Sequence, residues 1–561
     1  MIEDLWYKSA IVYCLDVETF MDGNGDGVGD FLGLRRRLDY LAGLGVNCLW
    51  LLPFFSSPNR DDGYDVSDYF SVDPRLGDFG DFVAFSHEAK LHGIRLIIDL
   101  VVNHTSDQHP WFQKARRDEC SPYRDYYIWS KDKPQDWKQG LVFPGVQEST
   151  WTYDEEARAY YFHRFYEFQP DLNISSPLVR AEIFKVMGFW LELGVSGFRV
   201  DAVPFLIEQG RGEEKRRAGD AFAFLSEMRQ FLSWRRGDAI LLAEANVTME
   251  EVEEYFGDGQ RMQLVFHFLA NQKLFLSLVD EDATPLAQVL DASPRLRYTA
   301  QWAQFLRNHD ELDLARLTEA ERQRVFGKLG PEPTMQLYGR GLRRRLATLL
   351  GGDPRWLHFA YSLLLSLPGT PVLWYGEEIG MGEHLGLKER QSVRTPMQWS
   401  SDPNGGFSRG AELVRPLVEE GPYSYTHVNV ASQRRAPESL LNRVERLVRM
   451  RKECPELGWG EYSLLRTGEK SVLGLRYEWK GSVMIVLHNF ASKPRDVTLE
   501  VSGAQSVILV NVLSGEHVGP SHGSSYLLSL EPHDFRWFRL GQHDAATMHE
   551  PERSCPPAME A

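Results

Sequence analysis

Short apolar, β-branched runs alternate with helical patterns along most of the chain. Eight such runs predict strands, at residues 10–17, 46–54, 94–102, 196–203, 239–247, 263–268, 303–310 and 371–378. Continuous apolar runs are typical of strands that are buried on both faces, as in parallel sheets. Eight strands alternating with helices favour an α/β fold, a closed (β/α)8 TIM barrel, over an open doubly wound sheet. No phosphate-type glycine loop follows any of these strands, which weakens a dinucleotide-binding alternative.

The barrel pattern is interrupted twice and then changes. A long aromatic and polar insertion follows the third strand, and a second insertion, rich in Arg and Leu, follows the seventh. Insertions on the carboxyl side of barrel strands usually shape the binding site. The final part of the pattern consists of short alternating strands, which predict an antiparallel β-sandwich. We expect a catalytic barrel at 1–104 and 171–457, an inserted B domain at 105–170, a lid insertion near 311–355, a C-terminal β-sandwich at 458–541 and a disordered tail at 542–561.

The charge balance narrows the range of partners. The 561 residues include 62 Lys and Arg against 79 Asp and Glu, a formal net charge of −17. This balance argues against nucleic acid or an anionic membrane as partner and favours a neutral small molecule, while an oligomer stays possible. The five cysteines are scattered without a C-x-x-C pair, so neither a disulfide framework nor a thiolate zinc site follows. No apolar signal core or bilayer-spanning run is present, and we expect a cytoplasmic protein.

Polar side chains cluster where four of the predicted strands end. Three of the acids, Asp201, Glu244 and Asp310, lie at the ends of three different strands and would converge at the carboxyl end of a barrel, where catalytic groups lie. Such convergence suits glycoside cleavage, in which one carboxylate attacks or stabilises the sugar carbon and another protonates the departing oxygen. Any one of these acids alone is more often a solvated strand-end or helix-capping carboxylate than a catalytic group, and Asp99 is expected to be structural. The four clusters are Asp99 with Asn103 and His104; Arg199 with Asp201; Glu244; and Asn308 with His309 and Asp310.

Two of these acids have neighbours that suit opposite roles. Arg199 lies two residues before Asp201, so both side chains point to the same side of the strand, and the guanidinium could keep that acid ionised. Glu244 follows Leu241, Leu242 and Ala243. A drier setting raises the pKa of a carboxyl group, as an acid catalyst requires.

Four short segments contain these polar clusters: DLVVNH (99–104), GFRVDAV (197–203), LLAEAN (241–246) and FLRNHDE (305–311). Together with a fifth, QPDLN (169–173), they resemble the signature regions of glycoside hydrolase family 13, the α-amylase family. The resemblance implies that Asp201 is the nucleophile of a retaining mechanism, that Glu244 is the general acid/base and that Asp310 stabilises the transition state. It also implies that the glucose in subsite −1 binds to three further residues, His104, Arg199 and His309.

Two further segments are similar to the exo-acting branch of this family. They are SPNRDDGYDVSDY (57–69), after the second strand, and VRTPMQW (393–399), after the eighth. The resemblance implies that Asp61 and Arg394 pair across the end of the pocket, hold the terminal glucose and block longer chains. Tyr64 would be a stacking platform beneath the sugar. A bidentate arginine–carboxylate pair has the rigidity that such a wall needs.

Further segments include NHTSDQHPWF (103–112), PYRDYYIWS (122–130) and LLLSLPGTPVLWYGEEIGMG (363–382). They resemble the family members that interconvert maltose and trehalose, and the resemblance runs from about residue 4 to residue 540. That resemblance implies a small α-glucoside substrate (maltose, trehalose, possibly sucrose), a covalent glucosyl-enzyme and no organic cofactor. Two segments depart from those members, QRMQLVFHF (260–268) and GEHLGLKERQS (382–392), and both border subsite +1. A pocket that excludes water would give an isomerase or transglucosidase, whereas one that admits water would give a hydrolytic exo-acting α-glucosidase. A non-catalytic sugar-binding or transporter-partner protein is disfavoured because all three acids are present.

The segment at 22–30 alternates oxygen-bearing side chains with glycines. Hard oxygen ligands suit Ca²⁺ or Mg²⁺, and a glycine-rich turn without metal is the alternative. An EF-hand is rejected because Gly33 stands at its twelfth place. The resemblance implies a structural cation held by Asp22, Asn24, Asp26, the Val28 carbonyl and Asp30. Similarity to the maltose–trehalose isomerases suggests a second cation, held by Asn103, Asp171, Glu208 and the carbonyls of Phe205 and Leu206.

Overall fold

A computed structural model describes residues 3–210, 222–501 and 507–541 of the chain. The predicted disordered tail at 542–561 lies outside the described residues.

Eight parallel strands close into a barrel at the centre of the molecule. They are β1 Val12–Leu15, β2 Cys48–Leu51, β3 Arg95–Leu100, β4 Gly197–Val200, β5 Ile240–Ala243, β6 Leu264–Phe266, β7 Gln301–Phe305 and β8 Thr370–Trp374. Each strand pairs with the next along the chain, and β8 pairs in parallel with β1 to close the ring. The predicted barrel is therefore confirmed, although β7 begins at Gln301, before the predicted run.

The strands form the core because almost all of their side chains are apolar and buried, as the continuous hydrophobic runs predict. Helices surround the barrel, and local sequence fixes their ends. Asp78 and Asp81 form a reciprocal capping box at the start of one helix, while Gly45 ends another with a left-handed φ of 92°. The helices outside the two insertions are Val17–Phe20, Phe31–Arg35, Leu38–Leu44, Phe79–Leu91, Pro177–Glu192, Val203–Gly210, Ala223–Arg235, Met249–Phe256, Phe268–Asp280, Thr284–Ala292, Pro354–Ser366, Val430–Arg435, Leu440–Glu453 and Glu456–Trp459.

Both insertions carry structure of their own. The segment after β3 holds helix Pro110–Arg117 and an antiparallel sheet of Trp129–Ser130, Ala159–Phe162 and Trp151–Asp154. The segment after β7 holds helices Glu319–Leu329 and Leu346–Leu349 and an antiparallel sheet of Leu312–Asp313, Gly341–Leu342 and Gln336–Leu337. A further strand pair, Phe55–Ser56 with Asp68–Val72, follows β2. All three segments extend from the carboxyl ends of barrel strands, the end at which the predicted acids lie.

The C-terminal part is an antiparallel β structure with a separate core. One sheet contains, in spatial order, Glu461–Leu464, Val472–Trp479, Ser482–Asn489, Phe535–Gly541, Ile508–Asn511 and His517–Val518. A second sheet pairs Arg495–Glu500 with Ser525–Leu530. Alternate side chains of the two sheets, including Ile485, Val497 and Tyr526, are buried against one another. Among the helices of the described ranges, none has the length and apolar character needed to span a bilayer.

Candidate active site

The barrel brings the three predicted catalytic acids to one mouth. Asp201 comes directly after β4, Glu244 directly after β5, and Asp310 follows the end of β7 at Phe305. Their carboxylates line a single cavity of about 740 Å³, a size typical of small-molecule sites. The parallel strands explain this convergence, since their carboxyl ends all face the same way.

One buried guanidinium binds acids from three neighbouring strands. Arg199 is only 1% exposed, and its Nη1 donates to Asp99 and to Asp201, each at 2.5 Å. Its Nη2 pairs with Glu244 at 2.9 Å. Asp99 also accepts a hydrogen bond from Trp50 Nε1 at 2.9 Å. Asp99 thus fixes the position of Arg199, and the guanidinium of Arg199 in turn binds both Asp201 and Glu244.

The backbone beside the predicted nucleophile is strained. Ala202 has a φ of 52°, in the left-handed region that residues with a Cβ rarely adopt. Its backbone N–H donates to Glu244 Oε2 at 3.1 Å. The turn after β4 therefore directs Asp201 into the cavity and orients the second acid at the same time.

The two acids of this pair differ in proton affinity. Burial raises the pKa of Asp201 to about 6, although Arg199 opposes the shift. Burial likewise raises the pKa of Glu244 to about 7, again against Arg199. The order is the one that retaining glycoside cleavage requires, with an ionised nucleophile beside a protonated acid near neutral pH.

Asp310 lies in a more strongly positive environment. Its Oδ1 pairs with Arg390 Nη1 at 2.9 Å and with Arg394 Nη2 at 2.8 Å, and its Oδ2 lies 3.2 Å from His309 Nε2. Burial would raise the pKa of Asp310, but His309, Arg390 and Arg394 hold this pKa well below the ordinary value. Asp310 is therefore ionised and rigidly held, as suits an acceptor for sugar hydroxyl groups.

Aromatic and imidazole rings form the floor of the cavity. Tyr64 stacks on His309 with a centroid separation of 5.8 Å and an interplanar angle of 9°, and its hydroxyl lies 2.8 Å from His309 Nε2. His104 Nε2 lies 3.2 Å from the Tyr64 carbonyl oxygen. Burial lowers the pKa of His104 to about 4, so this imidazole is neutral at pH 7. Burial also lowers the pKa of His309 below its ordinary value, although Asp310 opposes the shift. Tyr64 and His104 line the cavity, and His309 and Arg199 contact the lining residues Tyr64 and Asp201.

The expected pairing of Asp61 with Arg394 is wrong. Arg394 Nη1 pairs instead with the next residue, Asp62, at 2.6 Å, and Asp61 pairs with Arg390 Nη2 at 3.1 Å. Adjacent residues on an irregular loop point in different directions, and here Asp61 faces the cavity while Asp62 faces the buried Arg394. Arg415 reaches the other oxygen of Asp62 at 2.9 Å.

Several cavity residues were not among the sequence predictions. Arg390 is the most informative, because it joins Asp61 to Asp310 across the end of the cavity. The sequence feature that could have identified Arg390 is its position four residues before Arg394. Further wall residues come from the inserted segments and the loops after the strands, including Phe143, Phe165, Asn246, Glu311 and Arg340.

The predicted cation loop at 22–30 is held by its own backbone amides. Asp22 accepts hydrogen bonds from Gly25 and Gly27, and Asp30 accepts from Gly23, Asn24 and Gly33. Gly27 has a φ of 94°, and a Cβ there would meet the Glu412 carbonyl oxygen at 1.8 Å. Among the described residues, no three His, Cys, Asp or Glu side chains gather in a metal-binding arrangement. The hard-oxygen donors of this loop still fit Ca²⁺ or Mg²⁺ by their chemistry.

The predicted second cation site contains an unsatisfied buried oxygen. Asn103 is fully buried, and its Oδ1 has no hydrogen-bond partner. Asp171 is also fully buried, and one of its oxygens accepts from the Arg164 backbone N–H at 2.8 Å. Glu208 forms an ion pair with Arg164 at 2.9 Å. An orphaned amide oxygen beside a buried carboxylate fits an oxygen-seeking cation.

Comparisons with known proteins match this architecture along almost the whole chain. The family model for the α-amylase catalytic domain matches residues 16–330 and 342–460, and that for the maltogenic amylase C-terminal domain matches residues 462–537. The trehalose synthase of Thermus thermophilus is 44% identical over 98% of this chain, which spans 57% of that relative's length. The trehalose synthase of Pimelobacter sp. is 39% identical over 97% of both chains.

Two other similar proteins have different names. The oligo-1,6-glucosidase of Parageobacillus thermoglucosidasius is 32% identical over 88% of this chain and 92% of its own length. Among solved structures, the trehalulose synthase MutB of Pseudomonas mesoacidophila has a TM-score of 0.73 and 26% identity, with coverage of 96% of this chain and 99% of that one.

Proposed function

The chain belongs to glycoside hydrolase family 13, the α-amylase family, and from this premise we propose that it interconverts maltose and trehalose through a covalent glucosyl-enzyme. The observation that carries the proposal is the shared Arg199 fork, which holds Asp201 and Glu244 on one cavity with pKa values of about 6 and about 7. The names of the more similar relatives support the isomerase reading, since the glucosidase is the more distant match.

In the first half-reaction, Asp201 attacks the anomeric carbon of the terminal glucose of maltose. Glu244 donates its proton to the glycosidic oxygen, the carbon–oxygen bond breaks, and free glucose is formed beside the glucosyl-enzyme. Asp310, held by Arg390 and Arg394, accepts hydrogen bonds from the sugar hydroxyls, and these bonds strengthen as the ring flattens. Arg199 balances the single negative charge that the pair carries, which lies on Asp201 before the attack and on Glu244 in the glucosyl-enzyme.

The second half-reaction runs in reverse with a different hydroxyl group. The released glucose turns in the cavity and presents its anomeric hydroxyl to the glucosyl-enzyme. Glu244, now ionised, removes the proton from this hydroxyl, the oxygen attacks the glucosyl carbon, and Asp201 leaves as a carboxylate. Trehalose is the product, and attack by water in place of glucose would give hydrolysis.

Product analysis tests the proposal directly. The purified protein is incubated in separate reactions with maltose, trehalose and sucrose, and the sugars are quantified over time with Asp201→Asn as the inactive control. We expect maltose and trehalose each to give the other disaccharide with a minor yield of glucose. Glucose as the sole product from both disaccharides would overturn the isomerase proposal and leave an exo-acting α-glucosidase.

We further propose that a structural Ca²⁺ or Mg²⁺ binds one or both of the predicted cation sites. The oxygen donors of 22–30 and the orphaned Asn103 Oδ1 support this assignment. A cation there would supply only charge and rigidity, because neither site includes Asp201, Glu244 or Asp310. We also propose a reducing compartment such as the cytoplasm. Four described cysteines with free thiols support that location.

A further inference from the structure

Three segments that are distant in sequence meet at Glu389, next to the cavity. Its Oε2 accepts a hydrogen bond from Tyr166 at 2.6 Å and another from Tyr338 at 2.5 Å. Tyr166 belongs to the insertion after β3, Tyr338 to the insertion after β7, and Glu389 to the loop after β8. One carboxylate thus joins both insertions to the barrel.

Phe143 fills the space between the two tyrosines. Its ring lies 4.8 Å from the Tyr166 ring and 4.9 Å from the Tyr338 ring, with interplanar angles of 30° and 33°. The ring is 3% exposed, and the Arg390 guanidinium lies over it at 5.0 Å. We use the name "tyrosine clamp" for the set Phe143, Tyr166, Tyr338 and Glu389.

The tyrosine clamp contacts the reaction site through the residue that follows Glu389. The Arg390 side chain is 14% exposed and reaches Asp61 and Asp310 at 3.1 and 2.9 Å. Its flexible stem would lose this position if the loop moved, because an arginine has many rotamers to explore. The clamp restrains that loop directly at the adjacent residue and restrains the guanidinium through the Phe143 ring.

Backbone strain marks the same place. Glu389 has a φ of 39° and Tyr338 a φ of 55°, both in the left-handed region that residues with a Cβ avoid. Strain of this kind persists only where surrounding contacts fix the conformation. Two of the three hydrogen-bonded clamp residues have this strained backbone. Tertiary contacts around the clamp therefore hold it in a conformation that its own backbone disfavours.

We propose that Glu389, held by Tyr166 and Tyr338, is a positioning residue that locks Arg390 across the end of the cavity and so favours transfer of the glucosyl group to glucose over transfer to water. This inference rests on the proposed function, because it takes glucose as the natural acceptor of the glucosyl group. The glucosyl-enzyme must wait while glucose turns, and any opening between the two insertions during that interval admits water. The clamp joins those insertions at the point where they meet the sugar pocket.

The test measures partition of the glucosyl-enzyme between two acceptors. Purified protein receives p-nitrophenyl α-glucoside as donor with a fixed concentration of ¹³C-labelled glucose, and labelled disaccharide is compared with unlabelled glucose. The clamp variants are Glu389→Ala, Glu389→Gln and the double variant Tyr166→Phe with Tyr338→Phe. Lys388→Gln, an exposed neighbour, and Tyr153→Phe, an exposed tyrosine of the first insertion, are the matched controls.

We expect Glu389→Ala and the double tyrosine variant each to lower the transfer-to-hydrolysis ratio roughly tenfold, since each loses both clamp hydrogen bonds. Total p-nitrophenol release should stay within about threefold of the wild type, because Asp201 and Glu244 are untouched and Asp310 keeps its ion pair with Arg394 when Arg390 moves. Glu389→Gln keeps an acceptor oxygen and should retain an intermediate ratio. Lys388→Gln and Tyr153→Phe should match the wild type.

A merely structural role would give a different result. It would lower the unfolding midpoint and the total rate together and leave the partition ratio unchanged, and that outcome would overturn the proposal. The isomerase proposal is judged separately, from wild-type products with maltose. If the wild type hydrolyses maltose only, the isomerase proposal fails, while the ratio measured with added glucose still decides the role of the clamp.

Discussion

Asp62→Asn is the substitution that best separates the observed pocket from the one expected from sequence. The Asp62 side chain is 9% exposed and lies between Arg394 at 2.6 Å and Arg415 at 2.9 Å, whose side chains are 1% and 6% exposed. Removing its charge leaves two buried guanidiniums facing a neutral amide. Breaking a buried ion pair from one side typically costs about 3–5 kcal/mol, and we expect a loss of that order.

Asp61→Asn is the matched control because it makes the same chemical change one residue away. Asp61 pairs with Arg390 at 3.1 Å and accepts from Gln169 at 2.9 Å, but Arg390 keeps Asp310 as a second partner. Asp61→Asn therefore breaks one ion pair, with an arginine that is 14% exposed, so we expect a loss of only about 1–2 kcal/mol. Asp62→Asn breaks two ion pairs with more deeply buried arginines, even though Arg394 keeps Asp310 and Arg415 keeps Glu18. Asp61 lines the cavity, so the Asp61→Asn variant should have a higher KM for maltose even though its stability changes little.

Denaturant unfolding followed by tryptophan fluorescence at pH 7 measures both free energies of unfolding. Burial would raise the pKa of Asp62, but Arg415 and Arg394 hold it well below the ordinary value. A depressed carboxyl pKa stabilises the fold above the unfolded pKa of about 3.9 and loses its effect as the pH falls through the folded value. The difference between the variants should therefore be complete at pH 7. If Asp61→Asn proves as destabilising as Asp62→Asn, the network described for Arg394 is incorrect.

Asp201→Asn and Glu244→Gln should each lower kcat by roughly 10³-fold or more with a folded circular dichroism spectrum, and near-wild-type turnover in either would contradict the assigned roles. The pH profile of kcat/KM should be a narrow bell. The rate falls below about pH 6 because Asp201 is protonated, and it falls above about pH 7 because Glu244 loses its proton. A flat profile between pH 5 and 9 would refute the two pKa shifts. Chelation of divalent cations should lower the thermal midpoint reversibly, and Asp22→Asn should remove the part of that response that comes from 22–30. A chelator response equal in Asp22→Asn and the wild type would leave 22–30 as a metal-free turn.

The linear pattern was sufficient for the architecture and for the identity of the acids. Apolar runs of strand length recur between helical patterns because a parallel barrel buries both faces of every strand, and this requirement is visible without a structure. Asp201, Glu244 and Asp310 could be found for a related reason. Each follows a barrel strand, and the carboxyl ends of parallel strands must share one mouth.

Only the tertiary structure decided how the charges around those acids are paired. Asp61 and Asp62 are adjacent and chemically identical, and so are the arginines at 390 and 394, so the sequence offers no basis for choosing between the possible pairs. The choice depends on loop backbone angles and on which side chain is buried, and both are set by contacts with segments hundreds of residues away. The rise of the Asp201 and Glu244 pKa values above the ordinary values of their residue types has the same origin, since desolvation belongs to the folded cavity and to no single stretch of chain.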